Sequence, residues 1–506
     1  MKKQFTKNLL INIFAFISNI LIGLWLTPYL INHLGLIAYG LIPLAMFFSQ
    51  YIGVIINSIN MSINRFLLLA LRQNDDDSGN KIFSTSIVII SLFIFFQALI
   101  MLFVILNINI VFTIPDDLLN DATWLFGLTF AGFSISLVRS VYGTSLFAYN
   151  RLDLLRIIDI IQNITRVLVI ILLFYYDEPS LKYIGLANLI ASVSAFWPTL
   201  VYFKKYTPQL VFKINHFDKQ KIFELSKMSF WVLINQVGAL LLGNLDLYMV
   251  NKILGGEHTG NYAIVTQVTS LFRTLATLIA GVIAPVIMIY HANKEFEKLK
   301  SVLIISAKFM AVLLIVPMAL FIGFSEELIG MWLGEDMKYM YSLISFSLLF
   351  YIVAIPMIPL YNVNIAFNKV KTPAIIVIIF GILNLISIYL LLNYSNLQLW
   401  GVVIVKLFFE VVFAGIFMPL YVSKILSINV WKLLIVPLIS ITLFIITYGV
   451  VYFIKQIFIV DSLILILIIS IIIGVILLLF FITIFLKKKE KLLIFDKFNL
   501  KTIMRK

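Results

Sequence analysis

Fourteen long apolar stretches, joined by short polar connections, leave this chain few shapes to adopt. They lie roughly at 8–32, 38–62, 82–112, 119–147, 153–176, 181–203, 226–253, 259–290, 300–323, 340–366, 372–393, 398–422, 430–454 and 462–486. A helix crosses a bilayer with about 20 apolar residues, and each stretch reaches that length. Hydrophobic residues make up 62% of the chain and the mean hydropathy is +1.06, against about 45–50% apolar in soluble domains. The spans occupy most of the sequence, so no soluble domain fits between them. The predicted fold is all-α, a polytopic membrane protein of about 14 transmembrane helices. The first stretch is too long for a cleavable leader and lacks a small-residue cleavage site. Without cysteine there are no disulfides or thiolate metal sites. The His residues lack H-x-x-x-H spacing, so neither a metal nor another cofactor is expected.

Lysine and arginine set the orientation. Of 38 such residues, 29 fall on one side when the connections are assigned alternately, among them Lys2, Lys3, Lys7, Arg151, Arg156, Lys204, Lys205 and eight from Lys487 onward. Only Lys182, Lys252, Lys338 and Lys455 fall on the other. The positive-inside rule then places both the N and the C terminus in the cytoplasm, which requires an even number of spans. The net charge of +14 is mostly topology, and no nucleic-acid partner is expected. The opposite connections are short and acidic, as at Asp116, Asp117 and Asp121, then Glu326, Glu327, Glu335 and Asp336. None is long enough to fold as a catalytic domain, so the chain is not expected to be an enzyme. No G-x-x-x-x-G-K-[ST] occurs, so ATP is not the driver.

A motif near the start returns about 220 residues later. Leu34-Gly35 with Gly40 recurs as Leu254-Gly255 with Gly260. Ala148-Tyr149-Asn150-Arg151 is echoed by Ala366-Phe367-Asn368-Lys369, Gly185 by Gly401 and Trp197-Pro198 by Met418-Pro419. Four echoes in one order at nearly one offset indicate a duplicated unit. Six spans per copy is even, so the copies are parallel, and in parallel repeats the substrate site lies between the halves. The predicted organisation is a first six-helix lobe at 1–204, a partly helical interfacial linker at 205–227 and a second six-helix lobe at 228–424. Two additional C-terminal helices at 425–486 and a basic cytoplasmic tail at 487–506 follow. Anionic phospholipids are the expected partner of that tail.

Charges inside the spans carry the functional reading. Arg139, Arg166, Arg273, Lys308 and Lys406 stand against Asp159, Asp246 and Glu410. A charge at helix centre costs about 2.5–3.5 kcal/mol on insertion scales, so such residues face a bundle interior or water. Tyr262, Thr266, Ser270, Arg273 and Thr277 make one polar stripe at helical spacing. Asp159, Gln162, Asn163 and Arg166 share a face, as do Ser136, Arg139, Ser140 and Gly143. Asn8, Asn12 and Asn19 align, as do Asn235 and Asp246, and Lys406 with Glu410. These stripes describe a water-filled cavity. Asp159 with Arg166, or Lys406 with Glu410, could instead be internal ion pairs, Lys308 could snorkel to the cytoplasmic surface, and the asparagines could serve helix packing. The surplus of positive charge suits an anionic, phosphate-bearing substrate, because arginine binds phosphate bidentately and keeps its charge when buried. Asp246, Asp159 and Glu410 are the candidates for coupling to H+ or Na+. At the repeat offset Leu26 aligns with Asp246 and Gly53 with Arg273, so the second lobe holds charges its duplicate lacks.

The run from Asn8-Leu9-Leu10 through Pro28-Tyr29-Leu30-Ile31, then Leu34-Gly35 and Tyr39-Gly40, resembles the first hairpin of bacterial polysaccharide flippases, as does Asn60 through Asn64-Arg65. Leu245-Asp246 through Ile253-Leu254-Gly255, then Gly260-Asn261-Tyr262, resembles the start of their second lobe. These are the O-antigen and capsule repeat-unit flippases of the multidrug/oligosaccharidyl-lipid/polysaccharide exporter superfamily. The resemblance implies two six-helix lobes in a V around a cationic cavity in the bacterial inner membrane. It also implies a polyprenyl-diphosphate-linked oligosaccharide as cargo, such as a lipopolysaccharide precursor, moved to the outer leaflet by alternating access. Peptidoglycan-precursor flippases of the superfamily use arginines in the first two spans and in the eighth. Arg273 and Arg65 match such positions, whereas the first span has no arginine, which argues against that precursor.

The expected diphosphate and sugar contacts are Arg273, Arg139, Arg166, Arg65, Lys406, Thr266, Ser270 and Asn163. The chain is expected to act as a monomer, with other glycan-assembly proteins as candidate partners. A cation-coupled drug antiporter of the same superfamily would depend on Asp246. A membrane glycan polymerase or ligase would need acid and base residues on the outer loops. An assembly scaffold would not depend on the buried arginines.

Overall fold

In hydrocarbon every backbone N–H and C=O must find a partner within the protein, which an apolar segment achieves only as a helix or in a closed barrel. The computed structural model describes residues 2–73, 75–221, 233–234, 236–238, 240–243, 245–458 and 462–485. Among these residues there is no strand, and 14 helices are long and apolar enough to cross a membrane. The chain is a multi-pass membrane protein. It divides into two compact units, Met1–Ala263 and Ile264–Lys506. Residues 228–232 of the predicted second lobe and the basic tail, 487–506, lie outside the described residues.

The first unit contains α1 (Lys2–Leu34), α2 (Leu36–Ala45), α3 (Phe47–Arg72), α4 (Asp76–Leu106), a single turn α5 (Ile108–Val111), α6 (Leu119–Ala148), α7 (Leu152–Tyr176), α8 (Leu181–Tyr206) and α9 (Leu245–Leu254). The asparagines of α1 bind α7. Asn12 Oδ1 accepts from Arg156 Nε at 2.8 Å, and Asn163 Nδ2 donates to Asn19 Oδ1 at 2.6 Å. Both pairs are 144 residues apart, so the two helices run side by side in one direction. At the end of this seam Asn8 is buried and accepts from the Asp153 backbone N–H at 3.0 Å. The buried Asp153 carboxylate is neutralised by Lys7 and Arg151, each at 3.0 Å. The first-span asparagines thus make helix-packing hydrogen bonds.

The segment after α8 holds two short helical pieces among its described residues, a 3-10 turn at Ile214–His216 and a helical stretch at 219–221. Otherwise it lies along α4, whose polar side chains take up its backbone. Asn80 Oδ1 accepts from Val211 N at 2.7 Å, Ser84 Oγ from Lys213 N at 3.2 Å and Thr85 Oγ1 from Asp218 N at 3.0 Å. Residues 222–227 of the predicted linker lie outside the described residues.

The repeated motif has the same backbone in both copies. Gly35 and Gly255 adopt φ of 82° and 87°, a conformation that favours glycine. The amide of each closes the preceding helix, on Ile31 O and Asn251 O, and the carbonyl of each opens the next, to Tyr39 N and Thr259 N. Asn150 and Asn368 both take left-handed φ, of 56° and 53°. The residue after each bonds back five residues, Arg151 N to Leu146 O and Lys369 N to Asn364 O. Such left-handed residues terminate helices by capping the last carbonyls.

The second unit contains most of α10 (Gly256–Ala292), then α11 (Phe296–Gly323), α12 (Ser325–Leu333), α13 (Met340–Ala354), α14 (Ile358–Ala366), α15 (Lys371–Tyr394) and α16 (Gln398–Glu410). A π-helical segment, Val411–Phe417, leads into α17 (Met418–Leu426), then α18 (Trp431–Ile457) and α19 (Leu463–Phe485). Helix α11 is its core, with Ala307, Met310, Ala311, Ile315, Val316 and Met318 all fully buried. Helix α18 covers it with the stripe Leu433, Val436, Ser440, Leu443, Thr447 and Val451. Helix α19 buries only Ile466, Ile473, Gly474, Leu477 and Phe481 and leaves its other apolar faces open, as a lipid-facing helix does.

Candidate functional site

The charged spans assemble into clusters within each unit. In the first unit Asp159 of α7 is shared by two arginines. Arg139 Nη2 of α6 lies 3.1 Å from Oδ1, and Arg156 Nη1 lies 3.1 Å from Oδ2. The alternative pairing of Asp159 with Arg166 does not form, since Asp159 is bridged by Arg139 and Arg156. Arg156 reads as a loop cation in the sequence, yet it stands at i−3 of Asp159 on the same helix, so the spacing was there to be read. Both carboxylate oxygens are occupied, which leaves Asp159 a poor place for a coupling ion.

Arg166 instead faces a cavity of about 180 Å³. Its walls are Met46, Ser49, Thr129, Phe133, Ser136, Gln162, Asn163, Asn188, Ala191 and Ser192. Asn188 Nδ2 donates to Thr129 Oγ1 at 3.3 Å, and Ser136 and Ser192 are 3.3 Å apart. Arg166 Nε is buried with no hydrogen-bond partner among the described residues. Of the expected contacts, Arg166 and Asn163 share this space, and Arg139 is tied to Asp159 beside it. The Arg65 side chain lies outside the described residues, as does Asn235.

Asp246, at the start of α9, is buried and accepts a 2.8 Å hydrogen bond from Tyr262 Oη. Tyr51 of α3 lies within electrostatic range of the same carboxylate. Aromatic rings line the surroundings, with Tyr248 stacked on Phe47 at 5.4 Å. A carboxylate among phenols and hydrocarbon suits proton exchange better than cargo contact.

The second unit holds Arg273 at the middle of α10. It lies beside Tyr351 of α13 and within electrostatic range of Glu410 of α16 and Tyr361 of α14. Tyr351 also lies near Thr269 and Lys406. The Arg273 side chain is accessible, as are Ser270 and Thr277 on its stripe, whereas Tyr262 at the stripe's far end is buried. Ser270 and Thr277 donate back to Gln267 O and Arg273 O, both at 2.8 Å, so each keeps lone pairs free to accept. Glu410 is the last residue before the π segment, a local irregularity found often at functional sites. Arg273, Lys406 and Glu410 therefore meet, with Thr266 and Ser270 on the adjoining turns. Tyr351 and Tyr361 were not foreseen, because a tyrosine inside an apolar span carries no polar pattern of its own.

Similarity to known proteins agrees with this geometry. The chain is 28% identical to the uncharacterized membrane protein EpsK of Bacillus subtilis over 425 residues, 83% of this chain and 84% of that protein. An inward-facing multidrug resistance MATE family transporter of the MOP superfamily has the same fold, with a TM-score of 0.69 at 14% identity over 82% of this chain and 94% of that one. The lipid II flippase MurJ, inward closed, gives 0.68 at 19% over 94% and 98%. A family described as polysaccharide biosynthesis protein matches residues 5–291. With that match over more than half its length, the chain belongs to the polysaccharide biosynthesis protein family and carries a MOP-superfamily transporter fold.

Proposed function

We propose that this protein is a flippase for a polyprenyl-diphosphate-linked oligosaccharide, which it moves from the cytoplasmic to the outer leaflet of the bacterial inner membrane by alternating access. The carrying observation is Arg273, an accessible arginine at the centre of a membrane-length helix with hydroxyls on its stripe. An arginine facing lipid at that depth is costly, so its open face is for an anion. Arg273 and Lys406 together outweigh Glu410 by one charge and leave the cluster cationic. A diphosphate takes the guanidinium bidentately, while sugar hydroxyls donate to the stripe. O-antigen, capsule and lipopolysaccharide precursors all have this chemistry. Asp246, bonded by Tyr262, is the proposed proton carrier. A drug-cation antiporter would want the opposite polarity around its cargo.

The test is export of lipid-linked glycan in cells and in proteoliposomes. Arg273→Ala loses charge-assisted bonds worth about 1.5–3 kcal/mol, which is roughly a 10- to 100-fold fall in export. Insertion and abundance stay as in the parent protein. Parental export by the variant overturns the reading.

A further inference from the structure

We infer that the cavity in the first unit is a binding site for a single phosphate-class oxyanion, with Arg166 as its charged ligand. The argument is one of unmet charge and unmet donors. Among the described residues no carboxylate lines the cavity, and the nearest one on the same helix, Asp159, is held by Arg139 and Arg156. Among the described residues Arg166 Nε is buried without a partner, a state a protein seldom leaves uncompensated.

The remaining walls are donor-rich and neutral. Asn163 gives one amide hydrogen to Asn19 and keeps the other. Asn188 and Gln162 reach Thr129 and Ser192 only at 3.3 and 3.5 Å. Three amide groups and one guanidinium converging on one space make an anion site. A volume of about 180 Å³ admits one tetrahedral oxyanion together with ordered water. It is too small for an oligosaccharide diphosphate as a whole. Phe133, Met46 and Ala191 close the apolar sides, where the arginine's attraction is poorly screened.

The inference goes beyond the export reading and does not depend on it, because binding alone tests it. Full-length protein in nanodiscs is titrated with inorganic phosphate and, separately, with a polyprenyl diphosphate, at fixed ionic strength. The readouts are Tm and heat of binding. A saturable response to inorganic phosphate assigns a free-anion site, and a response to the lipid diphosphate alone assigns a cargo head-group subsite. Both support an oxyanion site at Arg166.

Two variants give the result its direction. Arg166→Gln weakens the response about tenfold or more through loss of the charge-assisted bonds. Gln162→Glu places a carboxylate at i−4 of Arg166, the favourable helical spacing for a pair. It supplies the missing counter-charge, so it raises Tm without ligand and removes the response to anions. A site that is merely structural gives no such inversion. An unresponsive parent protein, or a full response retained in Gln162→Glu, would overturn the proposal.

Discussion

Arg139, Arg166 and Arg273 look alike in the sequence, each a cation inside an apolar span, yet each has a different partner. Arg139 shares Asp159 with Arg156, Arg166 faces a neutral polar cavity, and Arg273 meets Tyr351 and Glu410. Asp159→Asn strands two cations that are partly accessible. Its cost falls between that of a surface pair, about 0–1 kcal/mol, and a buried one, about 3–5 kcal/mol. A loss near 2 kcal/mol is expected in unfolding of the detergent-solubilised protein. An unchanged midpoint would show the pair to be idle. Asp246→Asn keeps an acceptor for Tyr262 Oη and so keeps the fold. It removes the proposed proton carrier, and export by this variant is expected to become insensitive to an imposed pH gradient. Export that still follows the gradient would move coupling to another group.

At the scale of elements, the glycine motif does more than turn the chain. A Cβ on Gly260 would stand 2.3 Å from Leu36 O, and one on Gly40 would stand 2.6 Å from Gly260 N. The two copies of the repeat thus touch at their own glycines, backbone on backbone. Gly260→Ala must push helices apart and is expected to cost about 1–3 kcal/mol. Gly281, also on α10, has nothing within 4 Å of a Cβ, so Gly281→Ala is expected to stabilise by about 0.5–1 kcal/mol through helix propensity. Paired thermal melts check both signs, and equal effects would contradict the close approach. The duplicates have diverged where their interiors are polar. A Cβ on Gly53, the counterpart of Arg273, would stand 3.2 Å from the Phe133 ring. Asn384, 218 residues after Arg166, is fully buried and its amide has no partner among the described residues. Each unit therefore keeps a polar position at the same level of the repeat, charged in the first and neutral in the second.

For the whole molecule, the lysine bias predicts which side each connection occupies. The chain lacks cysteine, so Lys219→Cys and Asp117→Cys are each the only thiol present. Membrane-impermeant labelling of intact cells is expected to reach Asp117→Cys and to spare Lys219→Cys. Labelling of both from outside would reverse the orientation argument. The span count, the duplication and the helix-ending Gly35, Gly255, Asn150 and Asn368 were legible in the sequence, because hydropathy and left-handed backbone are properties of a few consecutive residues. The stripes were legible too, since helical period fixes which residues share a face. Their pairings were not. Asp159 lies seven residues from Arg166 on its own helix but bonds Arg139, twenty residues away on another. Tyr351 and Tyr361 come to Arg273 from two other helices, α13 and α14. Hydrophobicity decides by itself that these helices form and insert. Which charge meets which depends on the rotation and depth of each helix against its neighbours, and packing sets those only once the bundle is assembled.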